Sequence, residues 1–314
     1  MPELIFLILG IAGLIIGTQL IIKGALNIAE HFKISHIFIG LTILAVGSDL
    51  PELVIDITGA IHRIMGTETS GLIVGETIGT CIGQIAPTLG IIGLLGTSLF
   101  LTKRETIREG GMLIGAVILL FLLGIDGNLS RSDGIIMLLS YGIYFVVLYR
   151  NEKKKERETK RAPELKVAWS VLSLITGFAI LIFSSNVVIN NAIALAKMWG
   201  VAQSFIGAII VGFGTSLPEI TVSLGALVKK VPRLSVGNLI GSNIFDILFT
   251  LGIGSTISGF LVEKNLLKFD IPFLFFTSLI VLIFFMTKKR LSRKESAILV
   301  IIYLIYLTLK IMGF

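Results

Sequence analysis

Apolar runs of fifteen to twenty-eight residues recur along the chain, broken by short polar stretches. A bilayer core about 30 Å thick takes roughly 20 apolar helical residues per crossing. On that measure the pattern predicts helices near 3–24, 36–60, 71–98, 111–125, 134–149, 167–190, 203–228, 234–260, 270–286 and 296–312, which makes ten crossings. The first run has Glu3 and no basic residue ahead of it, and it is too long for a signal-peptide core. It is therefore read as a helix of the mature protein. No separate soluble domain is expected.

Composition agrees with this pattern. Hydrophobic residues make up 54% of the chain and charged residues 15%, against roughly 25% charged in a soluble domain. The net charge of +7 does not point to nucleic acid, because the basic residues fall between the apolar runs. With the N-terminus outside, the internal loops hold 21 of the 27 Lys and Arg residues. Positively charged loops resist translocation, so both termini are expected outside a cell membrane that the chain crosses many times. The lone Cys81 sits in an apolar stretch and reads as a small packing residue. His31, His36 and His62 share no ligand spacing, and a transition-metal site is not expected.

The chain repeats itself. A shift of 167 residues lays 36–53 on 203–220, matching Phe38, Ile39, Gly40, Gly47, Leu50, Pro51 and Glu52 with identical residues. A shift of 162 lays 71–90 on 233–252 with ten of twenty positions identical. Each half holds five predicted helices, an odd number, so the second copy must enter the membrane from the opposite side. The expected fold is an all-α membrane protein of about ten transmembrane helices in two inverted five-helix repeats. Residues 1–150 form the first half, 151–166 a charged cytoplasmic linker and 167–314 the second, inverted half. Secondary transporters are built in this way, with the site at mid-membrane on helices interrupted by Gly or Pro.

Two such interruptions are repeated, Gly47-Ser48-Asp49-Leu50-Pro51-Glu52 and Gly214-Thr215-Ser216-Leu217-Pro218-Glu219. Proline removes a backbone donor and clashes with the preceding turn, so each helix should break there and line a polar cavity. The spacing Asp49 to Glu52 and Ser216 to Glu219 also suits a capping box. Energetics weigh against capping alone. Asp49, Glu52, Asp56, Glu76, Glu219 and Asp246 all lie in predicted spans, at a gross cost on the order of 15–20 kcal/mol. A cap returns only about 1 kcal/mol. No Lys or Arg lies within 36–60, 71–98, 203–228 or 234–260, which leaves a bound cation as the natural counter-charge.

The candidate ligands are all oxygen: carboxylates of Glu52 and Glu219, hydroxyls of Ser48, Thr80, Thr215, Ser216 and Ser242, and amides of Gln84 and Asn243. Calcium takes six to eight such ligands in flexible geometry, and sodium would use carbonyl and hydroxyl positions. Gly75, Gly79 and Gly83, like Gly237 and Gly241, recur every four residues and predict close helix contact.

The repeated G-[ST]-[SD]-L-P-E and G-[NE]-x-I-G-[ST]-x-I-x-[NQD] segments resemble the alpha repeats of the calcium/cation antiporter superfamily, nearest its prokaryotic sodium/calcium exchanger branch. The resemblance implies that Glu52 and Glu219 ligate calcium and that Ser48, Thr80, Thr215, Ser216 and Ser242 help form sodium sites. It implies that Gln84 and Asp246 complete the centre, and that the first and sixth helices slide as a gate past a rigid core. The first repeat departs from the family pattern, with Asp49 for Ser, Glu76 for Asn and Gln84 for Asn or Asp. These acids extend the candidate metal set to Asp49 and Glu76, and they leave protons open as the coupling ion instead of sodium. Asp56 is either a further ligand or a cavity-facing carboxylate. No resident cofactor, enzymatic activity or nucleic-acid partner is expected; the partners are inorganic cations and the lipid bilayer. A phosphatase lacks the basic residues its chemistry needs, tight carboxylate binding argues against a channel, and no GxxxxGK[ST] loop supports an ATP-driven pump.

Overall fold

The computed structural model describes residues 2–95, 99–153, 164–198, 216–288 and 290–312, and these are mostly helical. Helices run α1 Pro2–Phe32, α2 His36–Ser48, α3 Leu50–Ile64, α4 Ser70–Leu95, α5 Lys103–Gly124 and α6 Arg131–Lys153. They continue as α7 Glu164–Met198, α8 Leu217–Val228, α9 Pro232–Ser258, α10 Leu266–Thr287 and α11 Arg293–Ile311. Among the described residues seven are long and apolar enough to cross a membrane, or eight if α2 and α3 count as one broken span; α8 is a shorter apolar helix. The front of the predicted 203–228 span and positions 154–163 of the linker lie outside the described residues.

Several elements start or end away from their expected places, for local reasons. Helix α5 begins at Lys103 because Thr102 and Glu105 close a capping box, Glu105 N–H donating to Thr102 Oγ1 at 3.3 Å and Thr102 N–H to Glu105 Oε2 at 3.0 Å. Its first turns carry Lys103, Arg104 and Arg108, which hide it from a hydropathy count. Helix α1 continues to Phe32 through Lys23, Asn27 and Glu30.

The chain packs as two compact units, and each draws on both halves of the sequence. One comprises Met1–Ser48 with Glu152–Asn238, the other Asp49–Asn151 with Leu239–Phe314. In the first unit α1 lies along α7 through small residues. A Cβ on Gly17 would come within 2.9 Å of the Gly177 carbonyl, and one on Gly24 within 2.7 Å of the Ser170 carbonyl, so only glycine allows the approach. Ser173 Oγ donates to the Leu20 carbonyl at 2.9 Å across the same seam. Ile21, Ile22, Leu44, Leu174, Leu181, Val222 and Ala226 form the core there. The outer face of α1 leaves Leu4, Ile5, Phe6, Ile8, Leu9, Ile15 and Ile16 exposed, which suits contact with lipid.

The second unit holds α3 to α6, the second part of α9, α10 and α11. Two short antiparallel ladders tie its loops. Strand β1 Leu99–Phe100 pairs with β4 Arg290–Leu291, and β2 Asn128–Leu129 with β3 Phe260–Leu261. In the first ladder Leu99 faces Leu291, and in the second Leu129 faces Phe260. Serine caps recur as well: Ser130 with Asp133 begins α6, and Ser292 with Glu295 begins α11. At the end of α3, Arg63 donates to the Ser258 carbonyl at 3.2 Å and pairs with Glu68 at 3.4 Å. Hydrogen bonds from Ser70, with the Arg63 guanidinium nearby, hold the Glu68 carboxyl below its usual range.

Turns of π-helix interrupt the long helices at Gly40–Leu44, Gln84–Thr88, Thr106–Gly110, Asp246–Thr250 and Leu266–Asp270. A π-turn is a local widening found often at functional sites. The turn at Gln84 contains Pro87, which cannot donate to the ordinary helical ladder. Its counterpart, shifted by 162 residues, begins at Asp246 without a proline.

Candidate cation site

Both repeated Pro-Glu segments start helices. Asp49 precedes α3 with φ −87° and ψ 11°, and Ser216 precedes α8 with φ −84° and ψ 8°. Pro51 and Pro218 occupy the first turns, where a missing N–H costs nothing. Neither Asp49 nor Ser216 makes a side-chain cap hydrogen bond, in contrast to the true capping boxes at Thr102 and Ser292. Capping therefore does not account for Glu52 and Glu219, which sit in the first turns at 2% and 0% exposure.

The second unit gathers Asp49, Glu52, Asp56, Glu76 and Asp246. Carboxylate oxygens of Asp49 and Glu52 lie within 4.8 Å of one another. Glu52 interacts electrostatically with Asp246, Asp49 and Glu76, and Asp246 with Asp49, Glu76 and Asp56. No other described residue donates a hydrogen bond to the Glu52 carboxylate, and neither oxygen of Asp246 has a partner. Glu76 is partly buried and accepts from Thr80 Oγ1 at 3.2 Å. Gln84 opens its π-turn and accepts from Asn243 Nδ2 at 2.7 Å. Asn243 Nδ2 also donates to the Leu239 carbonyl at 2.8 Å, which leaves Asn243 Oδ1 as a buried acceptor and Gln84 Nε2 as a buried donor, each without a partner among the described residues. The Ser242 hydroxyl is fully buried and without a partner among the described residues.

The first unit carries Ser48, Ser216 and Glu219. Ser48 Oγ donates to the Leu44 carbonyl at 3.0 Å. Asn238 Nδ2 donates to Ser223 Oγ at 3.1 Å and to the Glu219 carbonyl at 3.4 Å, fixing the turn that presents Glu219. Thr215 lies outside the described residues.

Three buried groups escaped the sequence reading. Thr250 Oγ1 donates to the Asp246 carbonyl at 2.9 Å inside the π-turn. Glu109 on α5 is fully buried, ion-paired to Arg108 and hydrogen-bonded by the Tyr144 hydroxyl at 3.0 Å. Asp270 on α10, 1% exposed, accepts from the Tyr306 hydroxyl at 2.6 Å and pairs with Lys310 at 2.9 Å. Both acids fell at the edges of predicted spans. The repeat would have found them, since Glu109 maps onto Asp270 by a shift of 161 and Tyr144 onto Tyr306 by 162. The expected glycine contacts also hold unevenly. Gly237 packs tightly, a Cβ there falling 2.7 Å from the Ile37 carbonyl, whereas nothing described lies within 4 Å of a Cβ placed on Gly79 or Gly83. Those two positions lie where no described helix packs.

Arg108 and Lys310 are thus committed to Glu109 and Asp270, and Arg63 to Glu68. Among the described residues no cation pairs with Glu52, Asp56, Glu76 or Asp246. A cluster of carboxylates, hydroxyls and amides without basic partners is the chemistry of a hard-cation site.

The chain is similar to known proteins over nearly its whole length. The chain is 29% identical over 313 residues to a putative antiporter CaxA of Alkalimonas amylolytica, covering 96% of each. It is 25% identical to the sodium/calcium exchanger MaX1 of Methanosarcina acetivorans, covering 96% of this chain and 97% of that one. The solved structure of the sodium-calcium exchanger NCX_Mj, soaked with Na+ and Sr2+, superposes with a TM-score of 0.84 at 27% identity, covering 98% of this chain and 97% of that chain. Residues 3–150 and 169–312, nearly all of both halves, match the family described as sodium/calcium exchanger protein. A multi-pass helical protein whose two Pro-Glu turns and buried uncompensated acids fall inside that match is a cation antiporter, and the chain belongs to the sodium/calcium exchanger family.

Proposed function

We propose that this protein exchanges calcium for sodium across the cell membrane by alternating access. The observation that carries the reading is the group of buried acids in the second unit, Glu52 and Asp246 foremost, with which no Lys or Arg pairs among the described residues. Glu52 and Glu219, equivalent under the repeat, share one calcium ion. Asp49, Asp246, Gln84 and carbonyls freed at the π-turns complete its shell. Ser48, Thr80, Thr215, Ser216 and Ser242 supply sodium positions, and Glu76 adds a further carboxylate. Sodium entry displaces calcium because both compete for the same few carboxylates. The ion itself is the missing counter-charge, so an empty site is costly and the transporter is held to exchange.

The repeat supports ten crossings in two inverted halves, joined by a cytoplasmic linker at 151–166, with both termini outside. Helices α1 and α7 are the sliding gate; their glycine seam supports this by giving two smooth backbones that travel as one body. The alternative reading, a proton/calcium exchanger, is favoured by one feature, the additional acids Asp49 and Glu76 where the second half has Ser216 and Asn238.

The test is calcium-45 uptake into proteoliposomes carrying either an outward sodium gradient or a proton gradient. Uptake driven by sodium and not by protons is expected. Uptake driven by protons alone would replace sodium with the alternative, and no gradient-driven uptake would end the exchanger reading.

A further inference from the structure

The two halves differ in one contact beyond the Pro-Glu turn. The shifts that align the repeats place Asp56 on Ser223 and Glu76 on Asn238. In the first unit Asn238 and Ser223 are both fully buried and joined by the 3.1 Å hydrogen bond from Nδ2 to Oγ. That contact is self-sufficient, with one donor meeting one acceptor. In the second unit the corresponding helices α3 and α4 pack closely, a Cβ on Gly59 falling 2.4 Å from Ile73 Cδ1. They carry Asp56 and Glu76 at the matching places, and these two interact electrostatically. Two acceptor-only groups stand where the other half has a matched pair.

Among the described residues no Lys or Arg pairs with either. Asp56 is 1% exposed and neither of its oxygens accepts a hydrogen bond. The Thr250 hydroxyl donates to the Asp246 carbonyl at 2.9 Å and lies beside Asp56. Thr80 serves Glu76 with its one hydrogen. Asp246, also 1% exposed and unpartnered, interacts with both acids. Side chains of this kind leave a group of carboxyl oxygens with two hydroxyl oxygens beside it. An isolated buried carboxylate pair is untenable without a proton or a cation between its members.

We propose that Asp56 and Glu76, with the hydroxyl oxygens of Thr80 and Thr250, form a further subsite for a hard cation, built into the first half and absent from the second. The inference rests on the exchanger reading and deepens it. The ion load is asymmetric, with one shared centre at Glu52 and one additional ion on the side of α3 and α4. All-oxygen ligation suits sodium and calcium alike, and the two are separated by the isotope used.

The experiment is equilibrium binding of sodium-22 and of calcium-45 to purified full-length protein at saturating ion. It compares the wild type with the double variant Asp56→Ser, Glu76→Asn, which installs the neutral pair that the other half already tolerates. The single isosteric variant Asp56→Asn serves if the double variant does not fold. The expected result is a loss of about one bound ion per chain, in the sodium arm or in the calcium arm, with residual binding of the other ions at the Glu52 centre. Unchanged stoichiometry in both arms overturns the subsite, because the pair then holds only a shared proton. Gradient-driven uptake by the same wild-type preparation is measured alongside. Uptake with unchanged binding sinks the subsite alone, whereas absence of uptake sinks the exchanger reading and leaves the binding count to be judged by itself.

Discussion

Replacing Tyr306 with Phe removes one hydroxyl and nothing else, which makes it a clean measure of what a buried acid needs in this protein. Asp270 is 1% exposed and has two partners, the Tyr306 hydroxyl at 2.6 Å and Lys310 at 2.9 Å, with the Lys310 side chain 35% exposed. The variant leaves Oδ2 paired and strips Oδ1. Hydrogen bonds between neutral groups inside membrane proteins average about 0.6 kcal/mol, but a bond to a charged acceptor is worth about 1.5–3 kcal/mol, and its loss leaves that acceptor buried and bare. The second figure governs here, because the half-exposed lysine screens only the other oxygen. The expected cost is about 2 kcal/mol. For a chain of this size, with about 2 °C per kcal/mol, the midpoint of thermal unfolding in detergent should fall by about 4 °C. Tyr144→Phe should produce a comparable fall, since Glu109 has the same arrangement with Arg108. Pairing Tyr306→Phe with Lys310→Met should be more damaging than the two single effects added, because only the double variant leaves Asp270 without any partner. A midpoint shift below one degree for Tyr306→Phe, measured by tryptophan fluorescence on monodisperse protein, would refute the assignment of Asp270 as a charged acceptor held by that hydroxyl.

Glu52→Gln and Glu219→Gln should each reduce gradient-driven calcium uptake by about 100-fold or more, as expected for loss of a charged ligand worth about 3 kcal/mol; near-normal uptake with equal protein in the membrane would remove the shared centre. Gln84→Leu should leave Asn243 Nδ2 with the Leu239 carbonyl alone and weaken calcium binding about 10-fold with little change in thermal midpoint; calcium-45 titration checks it, and unchanged affinity would take Gln84 out of the site. A cysteine placed in 151–166 should be labelled by an impermeant reagent only from the cytoplasm, and one beside Asn128 only from outside; labelling of both from one side would reverse the inverted-repeat reading. Asp49→Ser should keep calcium uptake and alter how many coupling ions move per calcium; an unchanged ratio in dual-isotope flux would leave Asp49 without a part in coupling.

Much of this site was legible because membrane burial makes acids conspicuous. Glu52, Glu76, Glu219 and Asp246 stand out among residues that are mostly apolar or small, and the repeat assigns each a partner or a deviation from one. The break at Asp49 was legible for a similar reason, since Pro51 cannot lie deeper in a helix. Hydropathy failed where charge and helix coincide. Glu109 follows Lys103, Arg104 and Arg108 in the first turns of α5, so a count of apolar residues starts that helix too late and leaves the acid outside, while Asp270 falls on the first residue of its predicted span, behind Lys268. The π-turns had no signal in composition. Only Pro87 hints at one, and its counterpart at Asp246 forms without any such residue. The Asn238 to Ser223 bond joins residues fifteen apart across a helix turn and a loop, a distance that neither helical periodicity nor motif spacing reaches.

The two small ladders have a consequence for ancestry. Each joins a strand from one half of the chain to a strand from the other: β1 to β4 and β2 to β3. Shifting β1 by 161 residues gives β3, and shifting β2 by 162 gives β4, so the pairing of Leu99 with Leu291 becomes that of Phe260 with Leu129. One ladder is the other with the halves exchanged. Two separate copies of a half-length chain could make both, each lending its first strand to the second strand of its twin. The exchange is the symmetry that two copies of one half-length chain, paired with each other, would have. The ladders also indicate where the protein can be cut: halves expressed as two chains and split within 151–166 retain both strand pairings found among the described residues.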